Sequence, residues 1–291
     1  MAYRLQFTDD PAAFLAGARD HLGQNPVLNT VMATTADRSA GDRSERDDWY
    51  LTVRDEQGAV VGVGMRTAPF EPRPLYLLPM PDQAALMLAR ALHDRGEPTG
   101  GVNGALPAVT AYAEECARLW DCAVRVGQHT RLFELSEVVE PARVPGRMRL
   151  ATADDHDLVG RWLDDFHDAS AEQAGRPRAL SRESGPDPDA ALRRIEAGGV
   201  WLWEQQVGAP VHLTGCNRAS LGAQRIGPVY TPVEHRGHGY ASAAVAEVSR
   251  RILAEGATPF LFTDQANPTS NKIYQALGYR PVVDMINLQI V

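Results

Sequence analysis

Between Tyr240 and Glu255 the apolar residues Ala241, Ala244, Val245, Val248 and Ile252 recur at helical spacing, so they would share one face of a helix that Gly256 is placed to end. Ahead of it, the stretch from Arg225 to Thr231 (RIGPVYT) carries the β-branched and aromatic residues of a strand. Pro232 to Gly239 then reads as a turn with two closely spaced glycines, Gly237 and Gly239. Upstream, Val200 to Val211 (VWLWEQQVGAPV) predicts a hairpin with a turn at Gly208, and Trp201 and Trp203 fall on alternate positions that should face a core.

The same patterns occur twice. Tyr3-Arg4-Leu5 is followed by Asp9-Asp10, and Met148-Arg149-Leu150 by Asp154-Asp155 at the same separation; each pair leads into a helix-like run. The hairpin around Gly208 has a counterpart in Trp49 to Gly62, with its turn at Gly58. Two echoes in one order predict that the halves are copies of a single fold of about 140 residues. The Pro- and Gly-bearing stretch Ser136 to Arg147 is the expected break, giving domains 1–140 and 147–291. Arg38 to Asp48 and Gln173 to Asp189 are charged, Gly-, Pro- and Ser-rich and aperiodic, which predicts solvated loops that can also serve as substrate lids.

Composition narrows the classes. With 291 residues, 44% hydrophobic and 23% charged, the chain has material for two buried cores and does not read as disordered or fibrous. It has no apolar run near the roughly 18 residues of a membrane-spanning helix, and its start lacks a signal-peptide layout, so a cytoplasmic protein without a membrane partner is expected. Cys116, Cys122 and Cys216 lack C-x-x-C spacing, which predicts reduced packing residues and no metal site. A net charge of -8 repels polyanions, so nucleic acid is not an expected partner, and it tilts the expected ligand toward a cationic small molecule.

Glycines between a strand end and a helix start imply an anion site, because the first turn of a helix presents unpaired N–H groups and the positive dipole end. Phosphate or pyrophosphate is the natural ligand. The chain has no G-x-x-x-x-G-K-[ST], and Ser242 stands where a dinucleotide fingerprint needs its third glycine, with no acidic ribose partner after a second strand.

Arg236-x-x-Gly239-x-Ala241 resembles the Gln/Arg-x-x-Gly-x-Gly/Ala signature of the GNAT superfamily, the acyl-CoA-dependent N-acetyltransferases. Phe260 to Tyr279 (FLFTDQANPTSNKIYQALGY) is similar to that family's second signature: a strand, an Asn-bearing loop, a helix with a tyrosine, then Leu-Gly-Phe/Tyr. The resemblance covers roughly Arg147 to the C-terminus. It implies an α/β protein of two GNAT-like domains, each a mixed twisted sheet flanked by helices, with catalysis in the second. It further implies that free backbone groups of Val229, Tyr230 and Thr231 pair with the pantetheine arm of acetyl-CoA. The pyrophosphate would lie on Gly237, His238, Gly239, Tyr240, Ala241 and Ser242 with Arg236 at the loop entrance, Asn267 would contact the CoA arm, and Tyr274 would protonate the leaving thiolate. No metal is implied.

The acceptor would be a primary amine, on a small molecule rather than a protein. Its ammonium, near pKa 10.4 if lysine-like, must lose a proton before attack. Phe260 to Thr263 contains no Glu, which leaves Asp264, His212, Glu234 and His235 as unranked bases. Each site residue has a plainer role to weigh: Arg236 as a surface partner of a carboxylate, Asn267 as a helix cap, Tyr274 as a core aromatic. Two other function classes compete, a non-catalytic acyl-CoA-binding protein and a nucleotide-binding module.

The first half differs at the corresponding turn. After Pro74 to Pro79 the chain runs through Met80 and Pro81 into a helix without glycines, and the two prolines remove donors. Gly100 to Gly104, followed by a helix bearing Tyr112 and Trp120, resembles a worn second signature. The expectation is a degenerate domain that binds no CoA and supports the sheet or walls the acceptor pocket.

Overall fold

A computed structural model of the chain describes residues 2–41, 47–68, 73–173 and 189–291. In chain order the first elements are β1 (Arg4–Thr8), α1 (Pro11–Gln24), α2 (Pro26–Gly41), β2 (Trp49–Arg54), β3 (Val60–Arg66), β4 (Leu75–Leu77), α3 (Asp82–Asp94), β5 (Gly101–Ala105), α4 (Ala108–Trp120) and β6 (Val124–Glu134). They are followed by β7 (Arg147–Leu150), α5 (His156–Gln173), α6 (Ala190–Glu196), β8 (Val200–Gln206), β9 (Ala209–Cys216), β10 (Ala223–Tyr230), α7 (Tyr240–Ala254), β11 (Thr258–Asp264), α8 (Pro268–Ala276) and β12 (Arg280–Ile290). Two compact units result, one of Met1–Arg131 with Val282–Val291, the other of Leu132–Pro281.

The two sequence echoes fall at a capped helix start and a glycine-turned hairpin in each unit, with different capping residues in the first. After β1, the Asp10 carboxylate accepts from the N–H groups of Ala12 (2.9 Å) and Ala13 (3.2 Å) and starts α1 with Pro11 in its first turn. After β7, Thr152 and Asp155 form a reciprocal capping box ahead of α5. Both hairpins turn at a glycine with positive φ, Gly58 at +84° and Gly208 at +77°.

In the first unit the strand order is β1-β2-β3-β4-β5-β12-β6. β4 runs parallel to β5 and is paired with it along its whole length, Leu75 with Val102, Tyr76 with Asn103 and Leu77 with Gly104. Helices α1 and α2 bury Phe14, Met32 and Leu22 against Tyr50 and Met65, while α3 and α4 bury Leu88 and Tyr112 against Leu51, Leu77 and Val102. In the second unit β7, β8, β9 and β10 are antiparallel neighbours and β11 is parallel to β10. Val159, Trp162 and Ile195 of α5 and α6 pack on Leu202, Leu213 and Tyr230. On the opposite face, Val245, Val248 and Ile252 of α7 pack with Tyr274, Leu277 and Tyr279. Each unit is thus a mixed sheet with helices on both faces, as expected.

The break expected at Ser136 to Arg147 comes a few residues after the division into units, which lies between Arg131 and Leu132, because the chain just ahead of it already packs in the second unit. Phe133 and Leu135 join the α7 core, Leu135 donates to the Pro259 carbonyl (3.0 Å) and Val139 to that of Leu277 (2.9 Å). At the other end β12 serves the first unit, with Met285 to Gln289 in antiparallel register with Ala105 to Gly101. Arg131 grips Asp284 through two hydrogen bonds of 2.5 and 2.9 Å there.

Three local expectations change. Helix α7 is present, but Tyr240, not Ala241, leads its buried face; the aromatic ring fills the first-turn position and leaves Ala241 half-buried. Trp201 and Trp203 are only half-buried, Trp201 packing against the α7 core, and the fully buried positions of the strand are Val200, Leu202 and Glu204. Trp201 lies beneath the Arg251 guanidinium at 4.6 Å, and the Trp203 indole donates to the Pro145 carbonyl at 3.0 Å. Arg38 and Gln173 lie in α2 and α5, not in loops, while residues 42–46 and 174–188 of the expected loops lie outside the described residues. Cys116 and Cys216 are buried, with Cys122 half-buried, and burial pushes the Cys116 thiol up to about 11. Among the described residues no helix is long and apolar enough to cross a membrane, and no group of His, Cys, Asp and Glu side chains is arranged to hold a metal.

Candidate functional site

Strands β10 and β11 begin as a parallel pair and then part. Ala223, Gln224 and Arg225 are in register with Thr258, Pro259 and Phe260, and the pairing stops there although β10 continues to Tyr230 and β11 to Asp264. On its other side β10 stays with β9, but its register jumps between Ile226 and Val229 across Gly227-Pro228, whose peptide is cis. Pro228 has no N–H, and over this step β10 carries one residue more than β9, as at a bulge. Among the described residues the edge of Val229 and Tyr230 that faces β11 therefore has no ladder partner, a state that invites another extended chain. Only backbone is offered there by Tyr230, since its ring turns to the opposite face and sits edge-on to Trp162 at 6.1 Å. Burial raises the Tyr230 phenol's pKa, and the nearby Asp165 carboxylate adds to it.

At the end of β10 the chain makes a single 3-10 turn, Val233–His235, and reaches α7 through Gly237 (φ +79°) and Gly239 (φ +83°). Gly239 is the N-cap and supplies no side-chain cap; its carbonyl accepts from Ala243 at 3.0 Å, so the N–H groups of Tyr240, Ala241 and Ser242 lack an intrahelical partner. A side chain at Gly237 would meet nothing within 4 Å, whereas one at Gly239 would approach Val144 to 3.0 Å. The loop thus opens on one side and is backed on the other. His238 stacks on Tyr240 with centroids 5.6 Å apart. Arg236 is exposed and donates from Nε to the Thr231 carbonyl at 3.0 Å, not to a carboxylate.

Asn267 and Tyr274 occupy the positions the second signature assigned. The Asn267 side chain caps α8, accepting from the Ser270 N–H at 3.1 Å, with Pro268 in the first turn. Tyr274 lies on α8 among the α7 core residues, 8% exposed, its ring edge-on to Tyr279 at 5.9 Å. Desolvation raises its pKa, which keeps the phenol protonated through the neutral range. Sequence reading missed Asn271, one helical turn after Asn267. It accepts from Thr263 Oγ1 (2.5 Å) and donates to the carbonyls of Asp264 (2.9 Å) and Asn267 (2.7 Å), binding the end of β11 to α8. The repeat of asparagine at i and i+4 was the available signal.

The four bases left unranked separate. His212 is fully buried, hydrogen-bonded by both ring nitrogens, to Thr231 Oγ1 and Thr214 Oγ1 at 2.7 Å each, and desolvation lowers its pKa to about 3. An imidazole so placed does not collect a proton at neutral pH. The Asp264 carboxylate accepts from the Ala266 N–H at 2.9 Å in a turn. Glu234 is exposed and His235 half-buried, both in the 3-10 turn.

In the first unit the equivalent strands do not part. At the last paired position Gly104 has φ +156°, and a Cβ there would fall 1.8 Å from the Leu77 carbonyl oxygen. Helix α3 starts at Pro81 without a side-chain cap, and Tyr112 is fully buried with its hydroxyl 2.8 Å from Thr99 Oγ1.

Comparison with known proteins agrees with this geometry. The family described as FR47-like protein matches residues 212–286, from β9 into β12. No curated protein matches the sequence. A GNAT-family acetyltransferase from Colwellia psychrerythraea superposes with a TM-score of 0.56 at 12% identity, covering 100% of this chain and 99% of the other. A GCN5-related N-acetyltransferase from Sphaerobacter thermophilus gives 0.59 at 15% identity, covering 99% and 95%. A tandem GNAT protein from the clavulanic acid biosynthesis pathway gives 0.52 at 14% identity, covering 99% and 98%. The chain has a tandem GNAT fold, and its residues 212–286 match the FR47-like family.

Proposed function

We propose that the second unit is an acyl-CoA-dependent N-acetyltransferase that moves an acetyl group from acetyl-CoA to a primary amine by direct attack. The observation that carries this reading is the parting of β10 from β11 beside an uncapped, glycine-entered helix. The open strand edge fits the pantetheine arm, whose amides need a backbone partner. The N–H groups of Tyr240, Ala241 and Ser242 fit the diphosphate. In the reaction the neutral amine nitrogen bonds to the thioester carbonyl carbon, a β10 N–H holds the oxyanion, the C–S bond breaks, the Tyr274 hydroxyl gives its proton to the departing thiolate, and the proton shed by the nitrogen passes through water to restore the phenol. The acceptor is a small cationic amine in this reading, supported by the net charge of -8 and by Asp165 and Glu234 near the Tyr230 hydroxyl. The competing reading, acyl-CoA binding without turnover, draws on the same loop and on the lack of a Glu in Phe260 to Thr263.

Acetyl-CoA at about a hundred times its Kd is expected to stabilise the protein by roughly 2.7 kcal/mol, measured as a shift in melting temperature. Gly237→Asp puts a carboxylate in open space where the diphosphate would lie, and should abolish the shift while costing the free protein only about 1 kcal/mol for its φ of +79°. In a thiol-release assay over a panel of amines, Tyr274→Phe should keep binding and lose about a hundredfold in turnover. Absence of any shift with saturating acetyl-CoA overturns the function; binding with no turnover on any amine favours the competing reading.

A further inference from the structure

His212, set aside above as a base, has a different task. Its strand neighbour Leu213 is paired with Tyr230, so Thr231 stands opposite His212 one step past the last paired residues. There the ring bridges the two strands, with Nδ1 at 2.7 Å from Thr231 Oγ1 and Nε2 at 2.7 Å from Thr214 Oγ1. Thr231 is held a second time through its carbonyl, which accepts from Arg236 Nε at 3.0 Å. One residue therefore ties the end of β10 both to β9 and to the start of the glycine loop.

The surroundings explain why a histidine sits there. Trp203 is its register partner on β8, Val229 is that of Thr214 on β10, and His212 and Thr214 are fully buried while Thr231 is half-buried. A buried neutral imidazole offers one donor and one acceptor on opposite sides of a rigid ring, so it satisfies both threonine hydroxyls without carrying charge. An apolar residue would deprive the buried Thr214 hydroxyl of this partner and free the Thr231 side chain. The strand end it fixes is the one from which the loop departs, and no β11 ladder steadies that end.

We propose that His212 is a positioning residue of the acyl-CoA site: by clamping Thr231, and through it Arg236, it pre-sets the loop from Arg236 to Ser242 in the form that receives the diphosphate. This inference rests on the acyl-CoA reading of the second unit. It assigns to the imidazole a part in acetyl-CoA affinity and none in proton transfer.

The test is calorimetric titration of the full chain with acetyl-CoA. His212→Leu and Thr231→Val should each weaken binding about tenfold, and the double variant should be no weaker than either single, since the two changes break one connection. His212→Gln, which keeps a donor and an acceptor, should recover most of the affinity. Additive losses, or a leucine variant that binds like wild type, overturn the clamp. Nitrogen NMR of the His212 ring supplies a readout free of ligand: one neutral tautomer down to pH 5, lost in Thr231→Val, is expected. A ring that titrates near pH 6.5 overturns the proposal. Wild-type protein that binds no acetyl-CoA sinks the acyl-CoA reading itself, and the NMR result then still decides whether the clamp exists.

Discussion

Gly104→Ala is expected to unfold the first unit, at a cost of about 3 kcal/mol or more. The added Cβ would sit 1.8 Å from the Leu77 carbonyl oxygen, 2.8 Å from its carbon and 3.0 Å from its nitrogen, all backbone atoms that no rotamer change can move. The residue also has φ +156°, outside the range L side chains adopt readily. Relief would require β4 and β5 to separate where Leu77 pairs with Gly104, and Leu77 and Leu75 would leave a core that includes Leu88 and Val102. Gly96→Ala is the control: φ is +63° but a Cβ would meet nothing within 4 Å, so about 1 kcal/mol is expected. Urea unfolding of the two variants measures the contrast. Equal costs would mean that β4 can shift to accommodate the methyl group, contrary to the close approach described.

The second large effect is expected at Arg149. Its guanidinium donates to Glu204 Oε1 (2.7 Å) and to both oxygens of Asp155 (2.7 and 2.9 Å), and the Glu204 side chain is only 3% exposed. Arg147 reaches the same glutamate at 3.4 Å, too long to replace it. Arg149→Leu leaves two carboxylates facing each other with little water, which costs about 3 to 5 kcal/mol.

A pH dependence follows from the same contacts. Hydrogen bonding from Arg149 holds the Asp155 carboxyl down to about 2 and lowers that of Glu204. A carboxyl depressed in the folded state contributes its full stability above the unfolded pKa, near 4, and loses it as pH falls toward the folded value. Wild-type melting temperature should therefore fall between about pH 5 and pH 2, and the gap to Arg149→Leu should narrow over the same window. A gap that stays constant with pH would assign the loss to packing of the arginine stem.

The glycine loop was readable in the chain because its physics is local. A strand end, two glycines and an amphipathic run specify a helix whose first N–H groups point outward, and α7 begins at Tyr240 as the pattern requires. Asn267, Pro268 and Tyr274 were legible for the same reason, since a cap and a helix face are set within a few residues. Less legible was what the same side chains do when folded. Trp201 and Trp203 alternate as a core face would, yet the register with β7 and β9 buries Leu202 and Glu204 on the other side. Period-two alternation states that two faces differ, and only cross-strand partners decide which is inside.

By itself the sequence determined the order of elements, the doubled α/β pattern and the position of the glycine turn before α7, all consequences of backbone preference and short-range periodicity. Tertiary structure alone decided that β12 pairs with β5 of the first unit, that Phe133 and Leu135 join the second unit's core ahead of the expected break, and that His212 meets Thr231. It also decided that β10 and β11 part after Arg225 whereas β4 and β5 stay joined to Leu77. These outcomes depend on contacts between residues far apart in the chain, whose free energy is set by packing and by satisfying buried polar groups, and no window of neighbouring residues carries that information.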